Sequence, residues 1–136
     1  MTDLINRVKS HEGYRRKPYR DTTGKLTIGY GRNLDDNGIT EAEASFLLIQ
    51  DLMRAEAECM KALYFFGRMD EVRQGVLTEM CFNLGLPKLL GFKVMLAACE
   101  VGNYNVAAEE MLGSRWAKQV GKRANTLAEI MRKGKE

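Results

Sequence analysis

The stretch HEGYRRKPYRDTTGKLTIGYG, residues 11–31, decides how the rest of the chain is read. Upstream of it, Leu4, Ile5 and Val8 recur at helical spacing behind Thr2 and Asp3, either of which can cap a helix. Gly13 is a natural C-terminal stop, and Pro18 opposes any continuation. Residues 17–21 and 25–30 then read as two strands around TTG, because Thr27, Ile28 and Tyr30 favour β structure and Gly24 supplies the turn. Gly29 and Gly31 mark a bend or a close backbone approach.

The same stretch holds the residues fitted for chemistry. Glu12 falls in the last turn of the first helix, where the partial negative charge of the helix end disfavours a carboxylate, a property that suits a general acid. Asp21 stands at the edge of the hairpin turn, where an Asp side chain ordinarily bonds backbone N–H groups ahead of it. Thr27 is an ordinary strand residue whose hydroxyl can also hold a water. Taken singly, each has a structural explanation. Taken together, a helix end and a hairpin bring two carboxylates to opposite sides of one groove, and a protonated and an ionised carboxyl are what glycosidic bond hydrolysis needs. His11 is the only histidine, which excludes multi-His metal sites, and there is no phosphate-binding G-x-x-x-x-G-K-[ST] loop, so no metal or cofactor is expected.

Beyond the hairpin, NLDDNG reads as a loop, and Thr40-Glu41-Ala42-Glu43 fits a capping box. From there Ala44, Leu47, Leu48, Leu52, Ala55, Cys59 and Leu63 trace one face of a long helix over roughly 40–64. Asp70 opens another helix that Gly85 stops, and shorter helices follow near 92–101, 104–112, 114–120 and 122–133. The expected fold is α+β, mainly α, in two lobes: a small β-hairpin lobe over about 13–39, the connecting helix, and a helical lobe over about 65–136 on which helix 2–12 packs. A cleft between such lobes is a common place for a site.

The bulk properties agree with one domain. The chain has 136 residues, 45% hydrophobic and 29% charged, enough to bury a core without staples. Cys59, Cys81 and Cys99 lie far apart with no metal spacing, and read as buried thiols of a chain folded under reducing conditions. The first residues lack an apolar run, so a signal peptide and a membrane span are not expected; the chain is expected to be made in the cytoplasm and to need release if it acts outside. Charge is uneven: residues 1–34 carry net +5, 35–112 net −7 and 113–136 net +5. Basic ends brought together make a surface that faces a polyanion.

Residues 11–31, with EMCFNLG at 79–85, LLGFKVML at 89–96 and SRWAKQVGKRANTLAEIMRKG at 114–134, resemble the phage-type lysozymes, or endolysins, of glycoside hydrolase family 24, in family order over nearly the whole chain. The resemblance implies a two-lobe lysozyme fold and peptidoglycan as substrate, cut between N-acetylmuramic acid and N-acetylglucosamine by an inverting route. Glu12 matches the general acid, Asp21 the second catalytic carboxylate, Thr27 the residue that holds the attacking water, and Arg123 an arginine that pairs with the catalytic Glu across the lobes. Phe82 and Asn83 match cleft-lining positions, with Tyr30 and Leu34 opposite, although Phe82 also suits a core. The implied protein is a monomer, without nucleic acid or membrane insertion, made in the host bacterial cytoplasm and released with the help of a holin. A non-catalytic wall-binding or nucleic-acid-binding module is the alternative, and a lysozyme used for entry differs only in setting. Two departures stand out: Arg32 replaces a usual histidine, and the segment between hairpin and long helix is short.

Overall fold

The computed structural model describes all residues, Met1–Glu136. Its contacts divide the chain into two compact units, Met1–Phe46 and Leu47–Glu136. The architecture is α+β and mainly α, with 69% helix.

The first unit begins with helix α1 (Thr2–Glu12). It ends where expected, at Gly13 with φ 73°, whose N–H donates to the Lys9 carbonyl. α1 falls in the same unit as the hairpin. Strands β1 (Arg15–Arg20), β2 (Leu26–Gly29) and β3 (Arg32–Asn33) form an antiparallel sheet in the order β1-β2-β3. Thr27 pairs with Tyr19 on one side and Asn33 on the other, which puts it in the middle of the sheet. The segment NLDDNG is not a loop. Asn33 closes β3 and then caps a short helix α2 (Leu34–Asn37) by accepting from the Asp36 N–H. A two-residue strand has no periodicity to detect; its pairing with β2 makes it a strand.

Helix α3 (Glu41–Ala62) starts with the predicted capping box: Thr40 Oγ1 accepts from the Glu43 N–H at 3.1 Å, and Glu43 Oε1 accepts from the Thr40 N–H at 2.9 Å. Its apolar face is buried only in part. Ala55 and Cys59 are buried, as is Leu63 just beyond, while Leu47 and Leu48 remain exposed.

The second unit is all helix. After a single 3-10 turn at Phe66–Arg68 come α4 (Glu71–Leu84), α5 (Leu86–Leu90), α6 (Lys93–Glu100), α7 (Tyr104–Leu112), α8 (Arg115–Val120) and α9 (Lys122–Lys133). Asp70 caps α4 by accepting from the Arg73 N–H, and Gly85 stops it. The five-residue α5 escapes pattern reading because it is too short to show a period. Phe66, Leu77, Met80, Leu89, Met95 and Met131 form the fully buried centre of this unit, so the methionines serve as core filler. The three cysteines are free and buried there; burial pushes the Cys59 thiol up to about 12 and Cys99 to about 11, which keeps them unreactive. Arg73 closes α9 by donating from Nε to the Met131 carbonyl at 2.6 Å and from Nη2 to the Arg132 carbonyl at 2.9 Å. A Cβ at Gly134, where φ is 73°, would lie 2.8 Å from the same guanidinium, so this stop requires glycine for both conformation and space. No helix is long and apolar enough to cross a membrane.

Candidate active site

The first unit brings Glu12, Asp21, Thr27, Tyr30 and Leu34 onto α1, the hairpin and α2. Glu12 is the last residue of α1 and is exposed. Its carboxylate lies against the backbone of Gly31: a Cβ built there would be 2.6 Å from Glu12 Oε2 and 2.9 Å from Cδ. The close approach that the sequence suggested at Gly31 is therefore made by the candidate acid itself. With φ at 81°, Gly31 also adopts a backbone conformation that side chains oppose.

Asp21 is fixed by its own turn. Its Oδ1 accepts from Thr23 Oγ1 at 2.7 Å, from the Thr23 N–H at 2.9 Å and from the Lys25 N–H at 2.9 Å. The Thr23 hydroxyl first, then the Lys25 amide, hold the carboxyl below the usual carboxylate range, against a smaller opposing effect of desolvation. All three bonds end on Oδ1, which leaves Oδ2 outside the turn's network. Thr27 is 3% exposed and donates its hydroxyl to the Lys25 carbonyl at 2.9 Å, so its oxygen is left to act as an acceptor. Thr27 and Asp21 thus share Lys25 as a backbone partner, one through its carbonyl and the other through its amide.

Arg32 clamps the entry to α3. It makes a two-pronged ion pair with Glu43, donating from Nη1 to Oε1 at 2.8 Å and from Nη2 to Oε2, and Nη1 also reaches the Gly38 carbonyl at 3.1 Å. Arg32, followed by the Thr40 amide, holds the Glu43 carboxyl down at about 2. β3 is thereby tied to the first turn of α3, and through Ile28↔Arg32 and Thr27↔Asn33 so is β2. The arginine at a position where a histidine was expected has a definite structural role. Asp35 and Asp36 complete the frame: Asp35 Oδ2 accepts from the Leu26 N–H at 2.8 Å and pairs with Arg20, while Asp36 pairs with Lys25. Neither aspartate stands out in the sequence, where NLDDNG has the composition of a loop.

In the second unit, Arg123 Nε donates to Glu79 Oε2 at 2.8 Å. Glu79 opens the EMCFNLG motif, but nothing in its local sequence signals an ion pair 44 positions away. Phe82 is 41% exposed, which excludes a core role. It lines a pocket of about 580 Å³ with Leu48, Leu52, Met53, Thr78 and Arg123. Asn83 anchors α8, because its Oδ1 accepts from the indole N–H of buried Trp116 at 2.7 Å.

A profile of the phage lysozyme family matches residues 9–136, nearly the whole chain. The chain belongs to the phage lysozyme family. Among its relatives, probable T4-type lysozyme 1 of Dictyostelium discoideum is 26% identical, over 98% of this chain and 96% of the relative. The endolysin of Salmonella phage P22 is 32% identical over 79% of this chain and 77% of its own length. The endolysin of Acyrthosiphon pisum secondary endosymbiont phage 1 is 28% identical over 85% and 80%. The Dictyostelium alignment spans 163 positions, more than this chain's 136 residues, so that relative carries insertions that this chain lacks.

Proposed function

We propose that this chain is a peptidoglycan hydrolase that cuts the β-1,4 bond between N-acetylmuramic acid and N-acetylglucosamine with inversion. The observation that carries the reading is the contrast between two carboxyl groups. Asp21 is locked in an ionised state by three donors, and Glu12 sits exposed on a helix end against a bare glycine backbone. Glu12 gives its proton to the glycosidic oxygen as the bond to the sugar carbon breaks. A water attacks that carbon from the other face, held by one of its hydrogens on Thr27 Oγ1, and its other proton passes to Asp21 Oδ2. The ionised Asp21 also stabilises the positive charge developing on the sugar. Tyr30 and Leu34 contact the glycan beside these groups. The setting is lysis of a bacterial host after release from its cytoplasm.

Purified protein is expected to clear permeabilised Gram-negative cells and to release muramic acid ends of the α anomer, read by proton NMR. Glu12→Gln is expected to lower the rate by about 10²–10⁴-fold with the fold intact. Full activity in that variant removes Glu12 as the acid, and a β-anomeric product removes the inverting route. Binding to DNA with a steep salt dependence and no wall cleavage favours the non-catalytic module instead.

A further inference from the structure

The turn that carries Asp21 holds one side-chain donor that takes no part in the bond breaking or proton transfers of the proposed reaction. Thr23 lies two residues after Asp21, is exposed, and donates its hydroxyl to Asp21 Oδ1 at 2.7 Å. The other donors to that oxygen are the backbone N–H groups of Thr23 and Lys25, both at 2.9 Å, which any residue except proline supplies. The turn also closes on its own backbone. The Gly24 N–H donates to the Asp21 carbonyl at 2.9 Å, and the Asp21 N–H donates to the Lys25 carbonyl at 3.0 Å. The Thr23 hydroxyl is therefore the one hydrogen bond to Asp21 that depends on residue type, and the turn does not need it to form.

The charged neighbours leave the carboxylate to these bonds. Around the turn stand Arg20 at the end of β1, Lys25 just before β2, and Asp35 and Asp36 on α2. They are paired among themselves, Arg20 with Asp35 at 3.2 Å and Lys25 with Asp36 at 3.1 Å, so the Lys25 charge that faces Asp21 is largely balanced. Local hydrogen bonds then dominate, and a short bond from a hydroxyl to a carboxylate is among the strongest. All three donors meet Oδ1, so turning the carboxyl group breaks them together, and Oδ2 stays the free acceptor. The branched Thr23 side chain has few rotamers to lose in holding this geometry. We infer that Thr23 is a positioning residue, whose hydroxyl pins Oδ1 of Asp21 so that Oδ2 alone faces the attacking water. The same bond favours the ionised carboxylate, so it also sets how far into acid the reaction runs. The inference rests on the reading of Asp21 as the second catalytic carboxylate and adds to it a residue that acts only through Asp21.

The test combines cleavage kinetics on peptidoglycan fragments with NMR titration of the Asp21 carboxyl carbon. Thr23→Val keeps the branched shape and both backbone donors and removes the hydroxyl, while Thr23→Ser keeps the hydroxyl. Thr23→Val is expected to lower kcat about tenfold with KM changed less than about twofold, the effect of losing one hydrogen bond to a charged group that acts in the reaction. The acid limb of its kcat/KM profile is expected to move to higher pH, because without the hydroxyl Asp21 takes up its proton sooner as pH falls. The carboxyl titration is expected to move the same way, and it does not depend on turnover. Thr23→Ser is expected to restore kcat and both pH curves. Thr22→Val is the control, because Thr22 is the exposed neighbouring threonine and is not among the donors to Asp21 Oδ1; it is expected to match wild type. Asp21→Asn separates the two readings. If Asp21→Asn is inactive and Thr23→Val matches wild type in kcat, acid limb and carboxyl titration, the positioning role is overturned and the reading of Asp21 stands. If Asp21→Asn keeps full activity, that reading falls and the positioning role falls with it.

Discussion

In Met1–Phe46 the buried residue is Thr27, whereas in Leu47–Glu136 buried apolar side chains run from Ala55 to Met131. The first unit is held by polar contacts: the Asp21 turn, Arg32 on Glu43, Arg20 on Asp35 and Lys25 on Asp36. The second is held by apolar burial around Leu77, Met80 and Met131. A sheet of short strands cannot hide enough apolar surface for a core of its own. Charge-assisted bonds are directional and suit a unit that must hold two carboxylates in fixed places. The candidate chemistry therefore lies in the unit with the least apolar burial.

The largest effect that separates the two is expected in the helical unit. Leu77→Ala removes a fully buried side chain and is expected to cost about 2–5 kcal/mol, read by denaturant unfolding with the single Trp116 as probe. No equivalent apolar truncation exists in the first unit, where Leu4, Ile5 and Val8 of α1 are all at least 40% exposed. A loss from Leu4→Ala as large as that from Leu77→Ala breaks the comparison.

Next is Gly31→Ala. The new Cβ meets the Glu12 carboxylate and demands a left-handed backbone conformation, at a conformational cost of about 1–2 kcal/mol. Activity is expected to fall much further than stability, because the displaced group is the proposed acid. Thermal melting and peptidoglycan cleavage on the same sample separate the two.

Acid is expected to loosen the first unit before the second. Glu43 is held at about 2 in the fold against an ordinary value of 4.5. The stabilisation from its pair with Arg32 is complete above about pH 4.5 and is lost as pH falls through about 2. Amide exchange at residues 32–43 is expected to rise in that window while Trp116 fluorescence holds steady. Simultaneous change shows that the units do not differ in this way. Arg32→Gln removes the clamp and is expected to abolish the difference.

Salt gives the smallest effect. Raising ionic strength is expected to speed exchange in the first unit by roughly twofold and to leave the second unchanged, because exposed ion pairs are screened and apolar burial is not.

Local signals reach only a few residues, and what they specify was legible. Gly13 and Gly85 end their helices, Thr40 and Glu43 form their box, and Gly24 turns the hairpin. Glu12, Asp21 and Thr27 stand out as a set by their order and residue types, and the close approach at Gly31 is legible from glycine alone. Illegible were β3 and α5, too short for a period to show, and the ion-pair partners, which depend on chain segments far apart in sequence. Asp35 and Asp36 illustrate the limit: acidic residues in a loop-like stretch carry no sign that one will hold the Leu26 amide.

By itself the sequence determined where the helices and the hairpin begin and end, because caps, stops and turns act within one turn of backbone. It also determined which residues were fit for acid–base chemistry, because that is a property of side-chain type. The tertiary structure alone decided that Arg32 takes Glu43, that Arg123 takes Glu79, that Thr27 is buried in the middle of the sheet, and that Glu12 rests on Gly31. A charged side chain can satisfy any opposite charge that it can reach, and only the folded chain limits that reach to one.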